Sequence, residues 1–247
     1  MAEPRSRLIK AVFFDVDFTL IYPGPRFRGE GYQQFCARYG MSVDPSVFDQ
    51  AVLDASFVLD EAQDHIYDPK LFIRYTRHII ERMGGLGPRL DACAREIYEE
   101  WAACQHFSLY DDVAPALRGL AACGLQLGLI SNTHRSLTSF QSHFELEGLI
   151  AGAISSSQHG YMKPHASIFE AALKLLDVAP HEAVMVGDSV KQDIAGARRV
   201  GMHAVLVNRS SEAPVIAGTD DVPIIRALTE LPDLLLDSWQ LAAGSRR

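Results

Sequence analysis

The sequence predicts an α/β protein: a doubly wound parallel sheet with an all-helical insertion placed after its first strand. Three observations carry that reading. The run Ala11-Val12-Phe13-Phe14 is apolar at every position, as in a strand covered on both faces. After Asp111-Asp112, apolar runs of strand length alternate with helical patterns, the rhythm of a parallel sheet. Between about Tyr22 and His106 the periodicity is helical throughout. The expected division is residues 1–21 and 107–247 in the α/β core and 22–106 in a helical domain.

Leu8 to Val16 is the first predicted strand, and Tyr22-Pro23-Gly24-Pro25 breaks regular structure after it. Tyr32, Phe35, Cys36 and Tyr39 fall on one helical face, with Gly40 as the stop. Asp44-Pro45 and Asp68-Pro69 each join an N-cap to a proline of the first turn. They open helices carrying Val47, Phe48, Ala51 and Val52, and Leu71, Phe72, Tyr75 and Ile79; Gly84-Gly85 ends the latter. Pro88 opens a fourth helix, with Leu90, Cys93, Ala94, Ile97, Tyr98 and Trp101, and the four make a small bundle. Leu125 to Ile130 is then a strand ending at Ser131-Asn132-Thr133, a helix runs to about Phe144, and Ala151 to Ser155 is a shorter strand. Ser167-Ile168-Phe169-Glu170 has capping-box spacing and starts a helix with Ile168, Phe169, Ala172, Leu175 and Leu176 on one face. Ala183 to Val186 is a strand ending at Gly187-Asp188-Ser189; Ser189 and Gln192 repeat the capping-box spacing, and Gly201 closes that helix. Ala204 to Val207 is a strand, 209–222 a surface loop, Pro223 to Leu228 a last edge strand and Leu231 to Trp239 a final helix.

Over 247 residues, 48% are hydrophobic and 22% charged, enough apolar material for a full core. A net charge of −8 disfavours broad nucleic-acid binding. No run of about 18 apolar residues occurs, so no membrane span is expected. The first residues carry no apolar leader stretch. Cys36, Cys93, Cys104 and Cys123 form no C-x-x-C pair and read as reduced, mostly buried thiols of a cytoplasmic protein. No coiled-coil heptads are present, and a monomer or homodimer is expected.

Asp15 and Asp17 stand at the C-terminal end of the first strand. Unpaired buried carboxylates are costly there, and open parallel sheets bind ligands at that edge. Ser131-Asn132, Lys163-Pro164, and Gly187-Asp188 with Asp193 follow later strands, and right-handed crossovers bring the strand ends to one rim. Clustered acids raise one another's pKa unless a cation sits among them, and few oxygen ligands plus a phosphoryl oxygen suit Mg²⁺. Each motif alone has a plainer reading: D-x-D as a turn or cap, Ser131 as a helix cap, Asp193 as an acid against a helix dipole. Arg26 and Arg28, beside the break at the start of the insertion, read as solvated loop charges ahead of the alternative that they reach an anionic substrate, and Tyr32 and Trp101 read as bundle core. His65, His106 and His159 lack metal-ligand spacing.

Taken in order, these motifs resemble those of the haloacid dehalogenase-like hydrolase superfamily, in particular members with a helical cap inserted after the first motif. The resemblance covers nearly the whole chain. Asp15-Val16-Asp17-Phe18-Thr19 is similar to the first motif, D-x-D-x-T; Ser131 sits at the second, Lys163 at the third, and Gly187-Asp188-Ser189 with Asp193 at the fourth. Ser156 to Phe169 looks like the family's S-x-x-x-G-x-x-K-P stretch. The resemblance implies a Rossmann-like core and a Mg²⁺-dependent phosphatase acting on a small phosphorylated metabolite. Asp15 would form an aspartyl-phosphate. Asp17 would protonate the leaving alcohol, then deprotonate water, with its backbone carbonyl on the metal. Asp188 would ligate Mg²⁺ beside Asp15, and Asp193 would hold metal-bound water or orient Lys163. Thr19, Ser131, the N–H of Asn132, and Lys163 would hold the phosphoryl group. The cap would hinge near Tyr22–Gly24 and Ser108–Asp112.

Two departures stand out. Phe18 replaces a glycine common in the family and would be strained if its φ is positive. His165-Ala166 replaces an acidic-proline pair, with Lys163 left in place. The competing activities are 2-haloacid dehalogenation and a sugar-phosphate mutase, with a non-catalytic binding protein behind them. Dehalogenation needs neither a leaving-group acid nor a metal, so Asp17 and the acidic fourth motif count against it.

Overall fold

The computed structural model describes residues 8–61, 63–209, 221–238 and 240–241. β1 (Leu8–Ile9) leads into β2 (Ala11–Phe14). β3 (Ile21–Pro23) and β4 (Phe107–Leu109) then pair antiparallel, with Ile21 opposite Leu109, and bring the two ends of the helical insertion together. Within the insertion lie α1 (Gly29–Arg38), α2 (Phe48–Ala55), the short α3 (Phe57–Asp60), α4 (Pro69–Arg82) and α5 (Leu90–Glu100). After β4 come α6 (Val113–Ala122), β5 (Gln126–Ser131), α7 (Leu137–His143), β6 (Ile150–Ser155), α8 (Ser156–His159) and α9 (Ala166–Leu175). β7 (Ala183–Gly187), α10 (Ala195–Arg199), β8 (His203–Val207), β9 (Ile224–Ile225), α11 (Leu231–Ser238) and β10 (Gln240–Leu241) complete the described chain, β10 pairing with β1.

The main sheet has the order β6-β5-β2-β7-β8-β9, all parallel. β2 is therefore central. The chain winds outward through β5 and β6, then returns to build β7, β8 and β9 on the other side, so a crevice opens beyond the C-terminal ends of β2 and β7. Side chains alternate across the sheet, and each face has its own core. Val12, Phe14, Val184, Val186, Val205 and Val207 pack with residues of α6, α7 and α11. Ala11, Phe13, Ala183, Met185, Ala204 and Leu206 pack with Ile168, Phe169 and Ala172 of α9 and Ala197 of α10. Both faces are covered, which is why β2 and β7 read as unbroken apolar runs.

Several boundaries differ from expectation for local reasons. The first strand stops pairing at Phe14, because the N–H groups of Leu20 and Ile21 both return to the Val16 carbonyl and curl the chain out of the sheet. Asp44 and Asp68 do cap as expected, accepting from the N–H of Ser46 and of Lys70 at 2.9 Å. Ser167 does not cap α9: His165 Nδ1 accepts from the Ser167 N–H at 3.2 Å and takes the N-cap position instead. The edge strand shrinks to two residues because Glu230 accepts from the N–H groups of Arg226 and Ala227, which a longer ladder would need. α3 was not expected as an element of its own. The predicted loop at 209–222 and the end of the last helix at Trp239 lie largely outside the described residues.

Candidate active site

The rim at the ends of β2, β5 and β7 brings together Asp15, Asp17, Ser131, Asn132, Lys163, Asp188 and Asp193, which all line one cavity. Asp15 follows β2 with its backbone N–H still bonded to the Val186 carbonyl at 2.9 Å, so the sheet itself fixes the carboxylate. Lys163 Nζ donates to Asp15 Oδ1 at 2.5 Å and to Asp193 Oδ1 at 2.6 Å, and all three side chains are buried. Asp193 Oδ2 accepts from the Ser189 N–H at 3.0 Å, so both its oxygens are engaged. Asp193 thus meets Lys163 directly, the contact that its expected orienting role needs. Its place in the first turn after Ser189 puts it directly over Gly187; a Cβ at Gly187 would overlap the Asp193 carboxylate.

The electrostatics of the cluster are uneven. Burial alone would push the Lys163 amine down, but the Asp15 and Asp193 carboxylates outweigh it and hold the pKa above its ordinary value. Burial raises Asp15 well above the usual carboxylate range; Lys163 opposes this, while Asp193 and Asp188 add to it. Asp188, open to the cleft, is pushed up to about 6 by dehydration and by Asp193. One ammonium thus faces several acids, and the arrangement accommodates a second cation. Oxygens of Asp15, Asp188 and Asp193 come within 4.8 Å of one another. An all-oxygen carboxylate set of this size fits Mg²⁺, which binds through one or two carboxylates and keeps several waters. Asp15 and Asp188 have the freer oxygens.

Thr19, fully buried, donates to Asp188 Oδ1 at 3.3 Å rather than standing open to the cleft. Ser131 is buried and its Oγ has no partner, a cost that a phosphoryl oxygen would remove. The Asn132 amide clamps the third motif. Its Oδ1 accepts from the Lys163 N–H at 2.7 Å, and its Nδ2 donates to the Lys163 carbonyl at 3.0 Å and to Gln192 Oε1 at 3.2 Å. The insertion grips the same loop: Tyr67 N–H donates to the Gly160 carbonyl at 2.9 Å and Met162 N–H to the His65 carbonyl at 2.7 Å.

Asp17 does not join the side-chain cluster. Its carboxylate accepts from Arg135 Nη1 at 2.9 and 3.2 Å, and Arg135 Nη2 donates to the Trp101 carbonyl at 2.8 Å. Arg135 is buried and lies 4.3 Å over the Phe107 ring. Sequence reasoning missed this residue, whose partner lies 118 positions away. The only available signal was an arginine four residues beyond Ser131. Arg26 also departs from the expected solvated charge: it pairs with both Glu100 oxygens at 3.1 Å and covers the Phe35 ring. Arg28, exposed, lines the cavity. Tyr32 and Trp101 pack in the insertion's core and line the cavity as well. Phe18 has φ 65, the left-handed conformation in which its replacement of glycine is strained.

Comparisons with known proteins point to one family. A family model of haloacid dehalogenase-like hydrolases matches residues 9–201. Over 119 residues the chain is 33% identical to haloacid dehalogenase-like hydrolase domain-containing protein 3 of Xenopus laevis, an alignment that spans 49% of that protein. It is 28% identical to the glyceraldehyde 3-phosphate phosphatase of Methanopyrus kandleri over 93% of this chain and 94% of that one. With the N-acylneuraminate-9-phosphatase of Mus musculus the identity is 30%, over 92% and 94% of the two chains. Among solved structures, a 2-haloacid dehalogenase from Pseudomonas syringae pv. Tomato DC3000 superposes with a TM-score of 0.62 at 28% identity, covering 94% of this chain and all of that one.

Proposed function

The chain belongs to the haloacid dehalogenase-like hydrolase family, and from that premise we propose that it is a Mg²⁺-dependent phosphatase of a small-molecule phosphomonoester. The observation that carries the proposal is the Asp15–Lys163–Asp193 triad beside Asp188, which is exposed to the cleft, and a second aspartate, Asp17, two residues from the first. Asp15 attacks phosphorus, and the bond from phosphorus to the alcohol oxygen breaks with its electron pair on that oxygen. Asp17, which enters this step as its carboxylic acid, gives that oxygen a proton and becomes a carboxylate. Both Asp17 oxygens accept from a single Arg135 nitrogen, so free lone pairs remain for proton transfer. Water then attacks the aspartyl-phosphate and loses its proton to Asp17; phosphate leaves and Asp15 is restored. Lys163 screens the approach of one anion to another, and Ser131 Oγ with the Asn132 N–H binds phosphoryl oxygens. Mg²⁺, held by Asp15, Asp188 and the Asp17 carbonyl, would supply charge neutralisation and positioning.

The named phosphatase relatives support this reading. The likeness to a 2-haloacid dehalogenase keeps a second reading in view, against which Asp17 and Asp188 argue. Assay of an aryl phosphate with Mg²⁺ and after chelation tests the proposal. Mg²⁺-dependent phosphate release is expected; metal-independent halide release from a 2-haloacid, without phosphatase activity, would overturn it. We place the enzyme in the cytoplasm as a monomer or homodimer acting on a metabolite rather than on nucleic acid or a membrane. No helix among the described residues is long and apolar enough to cross a membrane.

A further inference from the structure

The phosphate end occupies only the floor of a cavity of about 790 Å³, which rises into the helical insertion. That volume is in the range of sites for drug-sized ligands and far exceeds a three-carbon phosphate. Its walls above the carboxylates are apolar and aromatic: Phe48, Leu59, Phe72, Tyr98, Trp101 and, from the core, Phe18. Charged side chains on the insertion's part of the described lining are Arg28 and Asp49, both exposed. The phenols of Tyr67 and Tyr98 satisfy each other through a 2.5 Å hydrogen bond, and the other hydroxyls of this lining are those of Tyr22, Tyr32, Tyr75 and Thr76. A polyol set against Phe48, Leu59, Phe72 and Trp101 would leave hydroxyls unpaired, which a buried site penalises heavily.

Phe18 points the same way. It is strained at φ 65, and the residue stays 46% exposed, so core packing does not explain it. It lies between Asp17 and Thr19 in sequence and faces the cavity with its ring centroid 6.4 Å from that of Trp101. A flat apolar group above the leaving-group oxygen would contact both rings.

Resting on the phosphatase reading, we infer that the leaving group is an apolar, ring-bearing alcohol, bound in the aromatic cavity of the insertion, and not a sugar or polyol. Closure of the insertion on such a group dehydrates the phosphoester without unpaired hydroxyls.

The test compares two primary phosphomonoesters of equal chain length, 3-phenylpropyl phosphate and glycerol 3-phosphate, with Mg²⁺ and the full chain. Burial of one ring predicts kcat/KM about a hundredfold higher for the phenyl ester. Phe18→Gly, which suits the left-handed backbone, should cut that selectivity ratio about fivefold. Calorimetric titration with 3-phenylpropanol and with glycerol reads the cavity without turnover, and only the phenyl alcohol should bind. Equal or better hydrolysis of glycerol 3-phosphate would overturn the inference and leave the phosphatase reading intact. Binding of the phenyl alcohol with hydrolysis of neither ester would overturn the phosphatase reading and support the cavity's ligand class. Binding of neither alcohol would overturn the cavity assignment.

Discussion

Replacing Arg135 by Met tests the link between the carboxylate pair and the insertion. The guanidinium is buried, donates to both Asp17 oxygens and to the Trp101 carbonyl, and stacks on Phe107. Met keeps much of the volume but none of the donors. Removing one partner of a buried ion pair costs about 3–5 kcal/mol. The Asp17 side chain is 17% exposed and partly hydrated, which favours the lower end. The abandoned Trp101 carbonyl adds about 1 kcal/mol. A loss near 4 kcal/mol lowers Tm by about 10 °C in a chain of this length. Urea unfolding followed by circular dichroism measures the loss. A double-mutant cycle with Asp17→Asn isolates the pair, for which the coupling should be about 2 kcal/mol. Single effects that add to within about 0.5 kcal/mol would refute the argument, as would an Arg135→Met protein as stable as the wild type.

Other consequences follow from the same geometry. Gly187→Ala introduces a methyl group where the Asp193 carboxylate lies, so kcat should fall by about tenfold or more although no functional group is removed; unchanged turnover would contradict the role given to Asp193. Mg²⁺ at about 100 times its Kd should stabilise the protein by about 2.7 kcal/mol in a thermal-shift assay, and Asp188→Asn should abolish most of that gain. Asp68→Ala removes the carboxylate that accepts from the Lys70 N–H at the start of α4 and should cost about 1 kcal/mol in urea unfolding.

The order of layers was legible because two unbroken apolar strands, at Ala11–Phe14 and Ala183–Gly187, demand cover on both faces. The candidate site residues were legible in two ways. Asp15 and Asp17 are carboxylates at the end of a buried strand, where unpaired acids are costly, whereas Lys163 and Asp188 stood out only through the order of the motifs and their resemblance to those of the family. What the sequence concealed lies in long-range pairing. Nothing near Arg135 names Asp17 or Trp101 as its partners, and nothing near Arg26 names Glu100. Local rules also competed with one another. His165 displaced Ser167 as a cap, and Glu230 diverted donors from the last strand. Thr19 and Asn132 were recognisable as site residues, yet their side chains turn to Asp188 and to the Lys163 loop, a detail that only the packed rim determines. Phe18 was flagged as a misfit in its motif, and the strain is present, but its relation to the aromatic cavity depends on where the insertion closes.

The central claim is that Asp15 is the nucleophile toward phosphorus. The direct measurement is a rapid acid quench of the wild-type protein turning over an aryl phosphate with Mg²⁺, followed by proteolysis and mass spectrometry. The account predicts one phosphoryl group, carried by Asp15 and lost on incubation at neutral pH, and none in Asp15→Asn. Undiminished turnover by Asp15→Asn, or a phosphoryl group trapped on another residue, would contradict it.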